Sequence, residues 1–267
     1  MPEALTYWHF FLSLLSGGLV GLLLGATGGG GSLIAIPLLV YVVGLPVQKA
    51  TALSLIVVGY SALFGAWRES QHQNVHFTAA ILFSVTGMIG AWFGAQGHQL
   101  ISESLVLLLF GNLLVIISLL NFWQQPHSDT SSIETGCSQN FSRRCASKAL
   151  VIGLGVGLLT GFFGVGGGFL IVPALMMLMA FPIRLAIGTS FLIISLISLG
   201  GVLGHLKMAH LDLLLTSLLL VGSFVGLWIG SQLTRQISTT HLRKIVAVVI
   251  GIVGLGLVLD NGGTLWF

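Results

Sequence analysis

The chain has 267 residues, of which 6% are charged and 55% hydrophobic, and a formal net charge of +3. Its mean hydropathy is +1.03. Soluble domains carry about 25% charged residues, so this composition excludes a soluble enzyme or binding module and predicts an all-α polytopic membrane protein. The basic residues are scattered over short connections, which reads as membrane topology and implies no nucleic acid partner.

Met1-Pro2-Glu3 precedes the first apolar run without a basic stretch, so no cleaved signal peptide is expected. Apolar segments then follow near 5–27, 32–45, 49–68, 76–96 and 104–123. Residues 124–147 are polar and contain Pro126, Asp129, Glu134, Arg143 and Arg144 among Ser, Thr and Gln, the composition of a surface linker. A second set of apolar segments lies near 149–165, 168–181, 185–205, 211–232 and 243–259. Together these give about 8–10 transmembrane segments. Cys137 and Cys145 are the only cysteines, and their spacing gives little reason to expect zinc or a disulfide.

The two sets are copies. VGLLLGATGGGGSLIAIP at Val20–Pro37 returns as VGLLTGFFGVGGGFLIVP at Val156–Pro173, 136 positions later. The same offset superposes Pro46 on Pro182, Ser54 on Ser190, Gly90 on Gly226, Trp92 on Trp228 and Gln96 on Gln232. Such a register marks a duplication. The organisation read from it is a membrane repeat over 1–123, a linker over 124–147 and a second membrane repeat over 148–267, forming one integral membrane domain.

The second segment of each repeat is short. Fourteen helical residues span about 21 Å against a hydrocarbon core near 30 Å. Segments one and two therefore form either a hairpin that dips in and returns, or two thin crossings. Either way the chain comes back to the side where it began. One side then collects Arg68, Arg143, Arg144, Lys148, Arg184, Arg235, Arg243 and Lys244, and the other only Lys49 and Lys207. The positive-inside rule makes the linker cytoplasmic and both termini external. The odd number of crossings makes the repeats inverted relative to each other, a common transporter architecture with its site at the repeat interface.

Consecutive glycines interrupt both repeats. Without a Cβ they permit sharp turns that gather backbone N–H groups, and each break precedes a helical segment whose first N–H groups are free. Pro37 and Pro173 leave further backbone groups unpaired within the apolar span. Lipid does not tolerate such groups, but a lined cavity or bound ligand does. The tips Gly28, Gly29, Gly30, Gly31 and Ser32, and Gly164, Gly166, Gly167 and Gly168, are expected to meet near the middle and hold a small anion. Ser54, Thr189 and Ser190 are candidates to extend that polar lining; the competing reading is that their hydroxyls bond back to the helix. Gly21/Gly25 and Gly90/Gly94, with their mates Gly157/Gly161 and Gly226/Gly230, read as small-residue helix contacts. His72 and His76 are four apart but have no third ligand, so no metal site and no cofactor are expected.

The twice-repeated G-x-G-G-[SG]-[LF]-[IL]-[AI]-[IV]-P phrase (Gly28–Pro37, Gly164–Pro173) and Gly188-Thr189-Ser190 resemble the TauE/SafE sulfite exporter family over nearly the whole chain except the linker. Repeat one departs from this pattern with Ala52-Leu53-Ser54. The resemblance implies an inner-membrane permease for small sulfur-containing anions such as sulfite, sulfoacetate or related organosulfonates. The partners implied are that small inorganic or organosulfur anion and the lipid bilayer, with a homodimer left open. No G-x-x-x-x-G-K-[ST] phrase is present, and Glu69, Glu103 and Asp212 lie near segment ends. The expected mechanism is therefore uniport-like efflux by alternating access, since an outward-moving anion gains about 2.3 kcal/mol per 100 mV. The alternative is a membrane scaffold or accessory subunit whose glycines only bring helices together. An enzyme is excluded by the lack of any His, Cys or carboxylate cluster within the apolar spans.

Overall fold

In the computed structural model the described residues are 2–98, 100–123, 143–205, 212–233, 248 and 250–259. Residues 124–142 of the linker and 234–247, with Arg235, Arg243 and Lys244 of the expected topology, lie outside this set, as does Lys207. The described residues form helices α1 (Pro2–Thr27), α2 (Ser32–Pro37), α3 (Val47–Gln71), α4 (Phe77–His98), α5 (Glu103–Trp123), α6 (Arg143–Phe163), α7 (Gly168–Met179), α8 (Ile183–His205) and α9 (Leu213–Leu233). A short helix, Ile250–Leu259, is α10. Six of them contain apolar stretches long enough to cross a membrane: Phe10–Thr27, Val47–Gln71, Phe77–His98, Cys145–Phe163, Ile183–Gly204 and Leu213–Leu233. Shorter apolar stretches are Ser32–Val42, Ser104–Leu119 and Ile250–Leu259.

The interior and exterior are arranged for lipid. Phe11, Trp67, Phe77, Phe93, Val151 and Trp228 are exposed, whereas Ser54, Ser61, Ser190 and Ser223 are buried. In a bilayer the outer face needs only apolar atoms, and hydroxyls are retained where protein partners satisfy them. Ser61 and Ser223, for example, lie with their oxygens 2.6 Å apart between α3 and α9.

Glycine sets how the helices meet. Gly17, Gly21 and Gly25 on α1 bring the backbone directly against Leu219, Ser223 and Leu227 on α9. The partner numbers rise together, so α1 and α9 run parallel. At the same offset of 136, Gly153, Gly157 and Gly161 on α6 meet Phe83, Gly87 and Ala91 on α4, again in parallel. Met88 of α4 meets Gly200 of α8, and Trp92 meets Gly204, so α4 and α8 are parallel too. Ser61–Ser223 and Arg68–Ser231 make α3 parallel to α9.

The sequence-matched helices α3 and α8 cross in the opposite sense. Leu55 meets Gly201, Gly59 meets Ser198 and Gly65 meets Phe191, so one number rises as the other falls. The matched pair α5 and α10 does the same through Gly111–Leu257, Leu114–Gly254 and Ser118–Gly251.

The short second segments return along the first. Gly31 abuts the backbone of Val20 and Leu24 in α1, so α2 folds back as a hairpin. Pro37 ends α2, and the chain continues as one π-helical turn over Leu38–Val42. Wider winding there absorbs the hydrogen bond that proline removes. Pro173 lies inside α7, which ends at Ala180 with φ 54°. Its repeat mate Gly44 has φ 77°, so the left-handed turn is present in both halves.

Two details depart from what spacing suggested. Helix α6 starts at Arg143, inside the stretch read as linker. Cys145 is disulfide-bonded, with its partner outside the described residues. A spacing of eight polar-region residues carried no signal for that bond.

Candidate functional site

The site is assembled where the two breaks enter the crossing of α3 and α8. Thr27 ends α1, and residues 28–31 turn the chain into α2; Phe163 ends α6, and residues 164–167 turn it into α7. The breaks need glycine because Gly28, Gly164, Gly166 and Gly167 have φ between 63° and 75°, a left-handed conformation costly for other residues.

The two breaks touch. Gly29 lies against the carbonyl of Gly168, backbone on backbone, and Gly166 faces Ser32 and Val58. Val58 is at the middle of the 25-residue α3, and Ile194, which meets Gly168, is at the middle of α8. All the glycines of both breaks are buried except Gly30, which is half-buried. Among the described residues, a cavity of about 10 Å³ is lined by residues including Ser16, Leu39 and Ser54, and by none of the break residues 28–32 or 164–168. That is room for about one water molecule.

Ser54 and Ser190 make matched hydrogen bonds to the breaks. The Ser54 hydroxyl donates to the carbonyl of Gly164, and the Ser190 hydroxyl donates to the carbonyl of Gly28 at 2.8 Å. Each also reaches its own helix, Ser54 at Thr51 O (2.8 Å) and Ser190 at Ile187 O (2.7 Å). Each repeat thus clamps the first glycine of the other's break, and the bond back to the helix expected as the competing reading is present beside it.

The Thr189 hydroxyl has its partner outside the breaks. Its hydroxyl accepts the backbone N–H of His76 at 3.0 Å, tying the α3–α4 connection to α8. Gly188 makes room for that connection by meeting the carbonyl of Asn74. The Asn74 side chain in turn donates to Glu69 at 2.8 Å. Gly188-Thr189-Ser190 is therefore a docking phrase: one residue admits the loop, the next binds it, and the third holds the opposite break. His76 also accepts the Ala79 N–H at Nδ1 (3.2 Å), capping α4. Among the described residues no three His, Cys, Asp or Glu side chains come together as a metal site.

Backbone donors divide unequally between the breaks. In the first, Gly28 N–H reaches Leu24 O, Gly30 N–H reaches Thr27 Oγ1, and Ser32 N–H reaches Gly29 O, at 2.9, 2.7 and 3.3 Å. Only Gly29 and Gly31 lack an acceptor among the described residues. In the second, Gly164 N–H reaches Thr160 O at 2.7 Å, after which Val165, Gly166, Gly167, Gly168 and Phe169 have none among the described residues. Leu170 N–H resumes bonding at Gly167 O, 3.0 Å away.

Three residues beside the breaks escaped the sequence reading. Thr27 caps Gly30, His98 in the last turn of α4 places Nδ1 2.8 Å from Phe162 O, and Thr160 lies against Gly167. None is duplicated: the repeat mates of Thr27, His98 and Thr160 are Phe163, Thr234 and Leu24. A search for matched residues passes over them, whereas a search for polar residues with unlike mates beside a break would find them.

Comparison with known proteins adds to this geometry. The family model described as Sulfite exporter TauE/SafE matches residues 13–257. A "Probable membrane transporter protein" of Xylella fastidiosa (strain 9a5c) is 32% identical, the match covering 92% of this chain and 94% of that protein. The "Probable membrane transporter protein YdhB" of Bacillus subtilis (strain 168) is 26% identical over 89% of this chain and 95% of its own. No solved structure matches the chain.

Proposed function

Since this chain belongs to the sulfite exporter TauE/SafE family of membrane transporters, we propose that it exports a small sulfur-containing anion by alternating access. Sulfite, sulfoacetate and related organosulfonates are the substrate class. The observation carrying this reading is the meeting of two glycine breaks at mid-helix, with uncommitted N–H donors and no side-chain charge among their residues. Donors of that kind favour an anion in a low-dielectric setting. Efflux then follows the membrane potential, at about 2.3 kcal/mol per charge per 100 mV. In proteoliposomes, labelled sulfite flux is expected to rise with an imposed potential, against a chloride control. Absence of potential-dependent flux of sulfite and sulfoacetate sinks the uniport reading.

The proposed membrane arrangement is a pair of inverted repeats with the linker cytoplasmic and both termini outside, in the inner membrane. Supporting it, α3 and α8 cross antiparallel, as do α5 and α10. The helix directions also put Arg68 at the end of α3 on the same side as Arg184 at the start of α8 and Arg143 and Lys148 at the start of α6. Lys49, at the start of α3, is on the other side. A C-terminal alkaline phosphatase fusion is expected to be active. An expressed but inactive fusion reverses the assignment.

A further inference from the structure

We propose that the second break alone holds the anion, with the Thr160 hydroxyl as its side-chain donor, while the first break serves as its cover. The inference rests on the transport reading above and assigns the binding half of the site. Thr160 is 1% exposed, and its Oγ1 has no hydrogen-bond partner among the described residues. That oxygen occupies the space a Cβ on Gly167 would need, so it is aimed into the turn that starts α7. A buried hydroxyl without a partner is a cost that native structures retain for a reason. In an apolar helix such a hydroxyl ordinarily bonds its own preceding turn, as Thr51 does with Val47 O at 2.8 Å. Thr160 does not.

Its neighbours are the five successive amides Val165–Phe169 without acceptors among the described residues, at the N-terminus of the 12-residue α7. The first break has neither feature. Leu24 stands where Thr160 would be, Thr27 is occupied by Gly30, and α2 has only six residues before it widens. Gly29 of that break lies directly on the carbonyl of Gly168, within the second break. A hydroxyl and several successive N–H groups suit a ligand with several acceptor oxygens on one face. The pyramidal –SO3 group, common to sulfite and organosulfonates, has that form.

The test uses the purified full-length chain, with thermal stabilisation by sulfite and by methanesulfonate read separately from proteoliposome flux. Thr160→Val keeps the shape and removes the donor; Thr160→Ser restores it; Ser84→Ala removes another partnerless buried hydroxyl, on α4. Loss of a hydrogen bond to a charged ligand is expected to weaken half-saturation about tenfold or more in Thr160→Val for both ligands. Thr160→Ser and Ser84→Ala are expected to stay within about twofold. Weakening for only one ligand overturns the shared –SO3 assignment. Wild-type stabilisation that Thr160→Val leaves intact overturns the proposal while the transport reading stands. Stabilisation lost in Thr160→Val, without flux in the wild type, keeps the site and overturns transport. If neither ligand stabilises the wild type, the site is overturned, whatever the flux.

Discussion

Gly161→Ala is expected to lower the melting temperature of the detergent-solubilised protein by about 10 °C, while Gly155→Ala on the same helix leaves it unchanged or slightly higher. A methyl on Gly161 would overlap the carbonyl oxygen and Cα of Ala91, which belong to the backbone of α4 and cannot swing aside. Overpacking costs about 1–3 kcal/mol, the upper end where rigid backbone is struck, and each kcal/mol shifts the midpoint of a chain this size by about 2–4 °C. Gly155 has nothing within 4 Å of its added Cβ and is exposed, so alanine there gains helix propensity of up to about 1 kcal/mol. The contrast isolates helix contact from glycine content. Lipid supplies little hydrophobic drive between helices, so close backbone approach carries their association. Equal melting temperatures for the two variants would mean that α4 and α6 are not in backbone contact.

That contact was readable in part. Gly157/Gly161 and Gly90/Gly94 announced small-residue faces, because four-residue spacing puts them on one side of a helix. Their partners were not readable. Each stripe pairs with the other repeat, α1 with α9 and α6 with α4, and nothing local to a helix encodes which neighbour it meets. The meeting of the glycine breaks was legible for a different reason: consecutive glycines next to proline inside an apolar run have few stable placements. The roles of Ser54 and Ser190 were legible as positions and not as bonds, because their acceptors, Gly164 O and Gly28 O, are more than a hundred residues away. Thr160 was invisible to an argument built on duplication, since its meaning lies in having Leu24 as its mate.

Gly29→Ala is expected to cut sulfite flux more than tenfold while the protein stays folded, with a melting temperature only a few degrees lower. Gly29 has no left-handed φ, so alanine brings no backbone strain of its own. Its methyl would overlap the carbonyl of Gly168, where the two breaks meet backbone to backbone; on the transport reading the breaks part to relieve that overlap, as two packed helices cannot. The substitution acts between the breaks and spares the helix stripes. Neighbouring Gly30 offers the comparison: its Cβ would come 2.8 Å from Thr27 Oγ1, a side chain that can turn away. Gly166 is a weaker probe, because alanine at φ 68° adds about 1–2 kcal/mol of strain wherever it points. If the glycine breaks only brought helices together, as in a scaffold without transport, Gly29→Ala would lose fold and flux in step, like Gly161→Ala. If alternating access requires the breaks to close on each other, flux falls and the fold remains. A folded Gly29→Ala protein with wild-type flux would remove the contact between the breaks from the transport cycle.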